Sequence, residues 1–85
     1  KIGTYNLAIV AKHHNCPFLV AAPSSTFDYT TESSADIEIE QRHGDEVRFV
    51  NNECIGLDDS KVLNYAFDVT PRNLVTGIIT KDGIQ

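Results

Sequence analysis

The sequence predicts an α/β fold built on a parallel sheet, and three observations carry that prediction. Residues Ile2 to His14 have the apolar spacing of a helix. After the short loop Asn15-Cys16-Pro17, Phe18-Leu19-Val20-Ala21-Ala22 is an unbroken apolar run between two prolines, as in a strand buried on both faces. A second helix is expected from Thr70 to Gly83. A helix, a short loop and a fully buried strand make half of a βαβ unit. The strand that precedes the helix in such a unit is expected upstream of Lys1.

On a helical wheel Ile2, Tyr5 and Ile9 share one side, while Leu7, Val10 and Ala11 fall elsewhere. A helix apolar nearly all round is covered on more than one side. Asn15 suits the left-handed residue just past a helix end, and Pro17 blocks continuation. Pro23 to Ala35 is rich in Ser and Thr and leaves the carboxyl end of the buried strand, the edge where open α/β sheets bind ligands. Ile37-Glu38-Ile39-Glu40 alternates strictly and predicts a short half-exposed strand. Val47 to Leu57 fits a hairpin around Asn51-Asn52, because both residues tolerate positive φ.

The last element is read as a helix from its punctuation. Thr70 is a candidate N-cap, Pro71 fits the first helical position, and Gly83 ends the segment. Leu74 with Ile78, and Val75 with Ile79, supply apolar pairs at i,i+4. Asn73 stands where a capping box places Glu or Gln. Gly77 inside a helix costs about 1 kcal/mol relative to Ala, so this helix depends on packing.

Length and charge narrow the function classes. At 85 residues and 9.4 kDa the chain is one small domain at most. Size scaling gives roughly 5,000 Å² of accessible surface folded against about 13,600 Å² unfolded, so about 63 % is buried, which is marginal. Cys16 and Cys54 sit in no metal-like or redox-like spacing. No apolar run approaches the roughly 20 residues of a membrane span, and Lys12, His13 and His14 interrupt any signal-peptide core. Within these 85 residues a membrane protein, a disulfide scaffold and a multidomain enzyme are excluded, and whether they make up a whole protein is left open. Twelve acidic against seven basic residues give a net charge of −5, with no Lys/Arg cluster. Nucleic-acid binding is disfavoured accordingly.

Few residues carry chemistry on their own. Adjacent helical residues diverge, so His13 and His14 do not chelate one ion from one face, and they suit the negative end of the helix dipole. His43 has no partner at ligand spacing. Cys16 is expected as a small buried apolar residue, and Cys54 lacks a Cys–His signature. Asp68, before Val69-Thr70-Pro71, reads as a capping or turn-forming carboxylate at the start of the second helix. Asp28, on the strand-end loop, has two readings: a residue that structures the loop, or one that lines a site. Lys1 opposes the helix dipole unless an anion such as a phosphate rests on the free N–H groups of that helix start, where Gly3 permits close approach.

Lys1-Ile2-Gly3-Thr4-Tyr5, Ala11-Lys12-His13-His14, Pro17-Phe18 and Val20-Ala21-Ala22-Pro23 together resemble the carboxyl-terminal domain of the methylthioribose-1-phosphate isomerases. The opening motif is shared with the alpha, beta and delta regulatory subunits of the translation-initiation guanine-nucleotide exchange factor and with ribose-1,5-bisphosphate isomerase. The likeness to the isomerase branch rests on Ala21-Ala22-Pro23 with Ser25-Thr26 and Asp28, then on Ile37-Glu38-Ile39-Glu40 with Arg42. Asn64 and Ala66-Phe67-Asp68-Val69-Thr70-Pro71 add to it. The stretch from Phe49 to Leu63 matches poorly, and Tyr65 stands where the branch usually has Pro.

The resemblance implies a Rossmann-like carboxyl-terminal domain, of which residues 1–85 are a part. The first half of that domain and a helical amino-terminal domain lie upstream. It implies conversion of 5-methylthioribose 1-phosphate to 5-methylthioribulose 1-phosphate in methionine salvage, with no metal and no organic cofactor. Partners implied are the sugar phosphate, the rest of the same polypeptide and a second subunit in a homodimer, with neither nucleic acid nor membrane. The implied location is the cytoplasm, and the nucleus as well. The family's catalytic Cys and Asp map upstream of Lys1, so no catalytic residue is expected in this segment. Of the family's Asn-Lys substrate-binding pair only the lysine is present, as Lys1. The resemblance does not decide between the two readings of Asp28, as a loop-structuring residue or one that lines the site.

Overall fold

A computed structural model describes residues 1–57 and 59–85. Helix α1 spans Thr4–His13, and its small residues make the contact with the rest of the chain. Ala8 is fully buried and Thr4 and Ala11 are half-buried, an i, i+4, i+7 stripe, and the helix packs against a 3₁₀ turn at Arg72–Leu74. The large apolar residues point elsewhere: Leu7 is 60 % and Val10 54 % exposed. The expected all-round apolar surface is therefore present, but this chain covers one side of it.

The helix stops as its sequence requires. Asn15 takes φ 56°, its N–H donates to the Lys12 carbonyl, and the Cys16 N–H donates to the Ala11 carbonyl at 2.8 Å. That is the paired 6→1 and 5→2 closure of a Schellman motif.

Strand β1 (Leu19–Ala21) pairs in parallel with β4 (Gly77–Thr80), in the register Leu19 to Gly77 and Ala21 to Ile79. β4 turns through Lys81-Asp82 into the antiparallel β5 (Gly83–Ile84), so the sheet order is β1-β4-β5. The sheet is mixed rather than wholly parallel. β1 is also less enclosed than its composition predicts: Leu19 is 45 % exposed, and among the described residues no strand pairs with the other edge of β1.

The helix expected from Thr70 to Gly83 does not form. Pro71 is extended (φ −57°, ψ 137°), one 3₁₀ turn follows, and the chain enters β4. The reason lies in the pattern itself. Residues four apart share a face in a strand as well as in a helix, so the pairs Leu74/Ile78 and Val75/Ile79 fit both periods. The β-branched run Val75, Thr76, Ile78, Ile79, Thr80 then favours the strand. Gly77 is there for space: a Cβ would lie 2.8 Å from Ile84 Cγ2 and 3.3 Å from Leu19 Cδ2. Thr70 caps nothing.

Ile37-Glu38-Ile39-Glu40 is likewise not a strand. A 3₁₀ turn occupies Ser34–Asp36, and the extended pairing comes later, with an antiparallel bridge from Gln41 to Tyr65. Alternation supplied the face but no local signal supplied the partner. The hairpin does form after the four-residue helix α2 (Asp45–Arg48), with β2 (Phe49–Val50) against β3 (Glu53–Cys54). Asn51 and Asn52 have φ 49° and 65°, the two positive angles of a type I′ turn.

Packing is sparse. Accessible surface is 7070 Å², well above the roughly 5,000 Å² expected of a self-contained chain of this mass. The radius of gyration is 16.8 Å, where about 12 Å is usual for this length. Among the described residues Ala8 and Ala66 are the only buried side chains of apolar type besides the small Gly77 position. No described helix is long and apolar enough to cross a membrane.

Candidate functional site

Because β1 and β4 are parallel, their carboxyl ends share one edge. The carboxyl end of α1 lies at the opposite edge: Lys12, Asn15, Cys16 and Pro17 line a cavity of about 380 Å³ with Asn73, Leu74, Val75 and Thr76, just before β4 begins. The start of α1 therefore points toward the carboxyl edge, as do the loop after β1 and the Lys81-Asp82 turn. In open α/β sheets that edge is where ligands bind.

The helix start is built from distant pieces. Gly3 is the N-cap residue and adopts φ 118°, a left-handed angle that sharply redirects the chain leading from Lys1. A glycine offers no side-chain cap, and the first turn holds no acidic residue. Asp68 supplies both functions: one oxygen, Oδ2, accepts from the Gly3 N–H at 2.7 Å and from the Tyr5 N–H at 3.1 Å. A carboxylate in this position also meets the positive end of the helix dipole. Beside it the Ile2 N–H donates to the Ala66 carbonyl at 2.9 Å.

The segment carrying Asp68 is itself held. The Arg42 N–H donates to the Asn64 carbonyl at 2.6 Å, the Ala66 N–H to the Glu40 carbonyl at 3.4 Å, and Asn64 Nδ2 to the His43 carbonyl at 2.9 Å. Three stretches, 1–3, 64–68 and 40–43, thus lie side by side. Arg42 pairs with Glu46, Nη2 to Oε1 at 2.7 Å, and more loosely with Glu40 at 3.6 Å. The Arg42 hydrogen bonds hold the Glu46 carboxyl below its usual range, and the charges of Arg42, Lys1 and His43 act in the same direction. Lys1 therefore stands in a neighbourhood of mixed charge formed by the 40–46 stretch.

This corrects one expectation. Asp68 is a cap, as its residue type suggested, but of α1 rather than of a helix after Pro71. Its carboxylate takes the N–H groups of Gly3 and Tyr5, while those of Thr4 and Asn6 have no partner among the described residues. The Asp68 role was not legible locally, since nothing in the sequence links positions 65 apart. The available signal was a glycine-started helix with no acid in its first turn, which needs an acceptor from elsewhere.

Asp28 structures its loop. Oδ1 accepts from the Thr30 N–H at 2.9 Å and the Thr30 hydroxyl at 2.6 Å, and Oδ2 accepts from the Thr31 hydroxyl. The side-chain bonds from Thr30 and Thr31 lower its pKa from 3.8 to about 2. Phe27 and Tyr29 stack beside it at 6.0 Å between ring centres. Among the described residues no hydrogen bond or ion pair joins this turn to Lys1.

The remaining candidates stay apart. His13 and His14 meet edge to face at 5.1 Å on the surface. No three His, Cys, Asp or Glu side chains among the described residues converge as metal ligands do. Cys16 is exposed rather than buried, because the cavity at the end of α1 opens onto it, and Cys54 is exposed as well.

Comparison with known proteins places the chain in context. The Initiation factor 2 subunit family matches residues 1–85. The sequence is 57 % identical over 84 residues to methylthioribose-1-phosphate isomerase 2 of Pseudothermotoga lettingae, covering 99 % of this chain and 24 % of the relative. In structure it is similar to translation initiation factor eIF-2B, subunit delta, from A. fulgidus, with TM-score 0.90 and 48 % identity over 99 % of this chain and 24 % of that one. It is also similar to 5-methylthioribose 1-phosphate isomerase from Pyrococcus horikoshii OT3, with TM-score 0.88 and 46 % identity over 99 % of this chain and 23 % of that one. The chain thus spans about a quarter of the length of these relatives. With its whole length matched, the chain belongs to the Initiation factor 2 subunit family.

Proposed function

We propose that residues 1–85 are the carboxyl-terminal part of a Rossmann-like domain in a longer polypeptide that isomerises 5-methylthioribose 1-phosphate to 5-methylthioribulose 1-phosphate. The observation that carries this reading is the identity, 57 % and 52 % over 84 residues in two cases, to relatives named for that isomerase. In the net reaction the bond between C1 and the ring oxygen breaks, C1 gains the hydrogen that C2 loses, and the ring oxygen takes the proton released as the C2 hydroxyl becomes a carbonyl. The groups that move those hydrogens come from upstream of Lys1, and this segment contributes binding.

Lys1 is the proposed substrate ligand. The N–H groups of Gly3 and Tyr5 are occupied by Asp68, and the Lys1 ammonium supplies the charged contact to a phosphate beside that helix start. Asp28 serves the site indirectly in this reading, by fixing the loop at the same sheet edge. The reaction is proposed for the cytoplasm, in a homodimer, with no metal or organic cofactor.

The test is turnover of 5-methylthioribose 1-phosphate by the complete polypeptide, beside the isolated 85-residue chain. The former isomerises the substrate and the latter does not. A second reading, a regulatory subunit in translation initiation, draws on the structural likeness to the delta subunit. A complete polypeptide that lacks either the upstream Cys or the upstream Asp, and shows no turnover, favours it. Ribose 1,5-bisphosphate offered in parallel separates the remaining isomerase reading by kcat/KM.

A further inference from the structure

We infer that Asp68 is a positioning residue for Lys1, an inference that rests on the reading of Lys1 as the substrate ligand. Lys1 precedes the helix and is separated from it by Ile2 and by Gly3 in its left-handed conformation. Nothing within that tripeptide fixes its direction, because glycine at the cap explores both signs of φ. The Thr4 hydroxyl donates to the Lys1 carbonyl at 3.3 Å, and the 66–68 stretch restrains the rest: the Ala66 carbonyl takes the Ile2 N–H, and Asp68 Oδ2 takes the N–H groups of Gly3 and Tyr5 together. One oxygen thereby bridges the residue that turns the chain and the first turn of the helix, on either side of the turning point.

The carboxylate is also the counter-charge of the helix start. Without it the positive end of α1 faces the Lys1 backbone directly, and an incoming phosphate competes for free N–H groups in place of the ammonium. Asp68 takes two of those N–H groups, those of Gly3 and Tyr5, which leaves fewer competitors to the ammonium as the anion's partner. Asp68 itself does not touch the substrate. Its effect passes through Lys1, which gives it a signature distinct from simple loss of stability.

The experiment is a double-mutant cycle in the complete polypeptide, with 5-methylthioribose 1-phosphate as substrate and rates normalised to folded protein. Asp68→Ala raises KM about tenfold with kcat nearly unchanged, while Asp68→Asn, which keeps an oxygen acceptor, stays within about threefold of the parent. In the Lys1→Ala background Asp68→Ala adds little, less than about twofold, because the group it positions is gone. If Asp68→Ala does not fold, Asp68→Glu, which keeps the charge and moves the acceptor by one methylene, reads the same rise in KM and the same dependence on Lys1. Unchanged KM in Asp68→Ala and Asp68→Glu, or effects that multiply with Lys1→Ala, overturns the positioning role. Absence of turnover in the parent protein overturns the isomerase reading and this role with it, an outcome distinct from a parent that turns over normally.

Discussion

The Asp68 carboxylate accepts the Gly3 main-chain N–H at 2.7 Å, so the start of helix α1 is capped by a residue 65 positions away in the chain. A helix of ten residues is too short to hold itself together in water and depends on such tertiary contacts. The cap, the Ile2 to Ala66 bond and the buried Ala8 tie α1 to the 66–74 stretch.

Removing the cap is therefore expected to lower the stability of the complete polypeptide by roughly 0.5–2 kcal/mol, the usual range for loss of an N-cap side chain. Urea unfolding of Asp68→Ala measures it. Gly3→Ala should lose a comparable amount, roughly 1–2 kcal/mol, for a different reason: φ 118° is poorly accessible to a residue with a Cβ. A midpoint unmoved in both variants speaks against the described helix start.

Gly77→Ala tests the sheet. The added methyl meets Ile84 Cγ2 at 2.8 Å, with Leu19 Cδ2 at 3.3 Å, so both neighbouring strands must give way. Overpacking of this kind costs about 1–3 kcal/mol. Had residues 70–83 been helical, the same change would have stabilised the protein by about 1 kcal/mol. The sign of the unfolding shift alone decides between strand and helix.

The difference between those two outcomes shows what the sequence could and could not reveal. Local signals worked where one residue controls one backbone angle: Asn15 ends α1 and Asn51-Asn52 turns the hairpin, all three at positive φ. They failed where two structures share a spacing, as with Leu74/Ile78, and where the partner is remote, as with Gln41 and Tyr65. In the candidate site the helix start after Lys1 was legible from the residues, and the family resemblance adds the proposed ligand role of Lys1. The Asp68 cap was not, because a carboxylate before a Thr-Pro pair suggests a nearby helix start, and the true one lies at the other end of the chain.

Asn52→Gly should stabilise the hairpin. The second position of a type I′ turn has φ 65° here, and glycine adopts that angle without the strain Asn carries. A gain of a few tenths of a kcal/mol, up to about 1, is expected from thermal unfolding. A loss of stability argues that the Asn52 side chain, rather than its backbone, holds the turn.

Asp28 sets a pH window for its loop. Its pKa is lowered from 3.8 to about 2 by the Thr30 and Thr31 hydrogen bonds. A depressed carboxyl contributes order that is complete above the unfolded value and is lost as pH falls through the folded one. Carboxyl carbon shifts followed by NMR should titrate near pH 2, and Thr30→Val should move the midpoint up toward 3.8. A midpoint already near 3.8 in the parent chain means the Thr30 and Thr31 bonds do not form in solution.

The most direct test of the functional account is kcat/KM for 5-methylthioribose 1-phosphate, measured on the complete polypeptide and on its Lys1→Ala variant. Loss of one charge-assisted phosphate contact is worth roughly 1.5–3 kcal/mol, so the account predicts turnover by the parent and a fall of about 10- to 150-fold in the variant. Equal kcat/KM in the two proteins contradicts it.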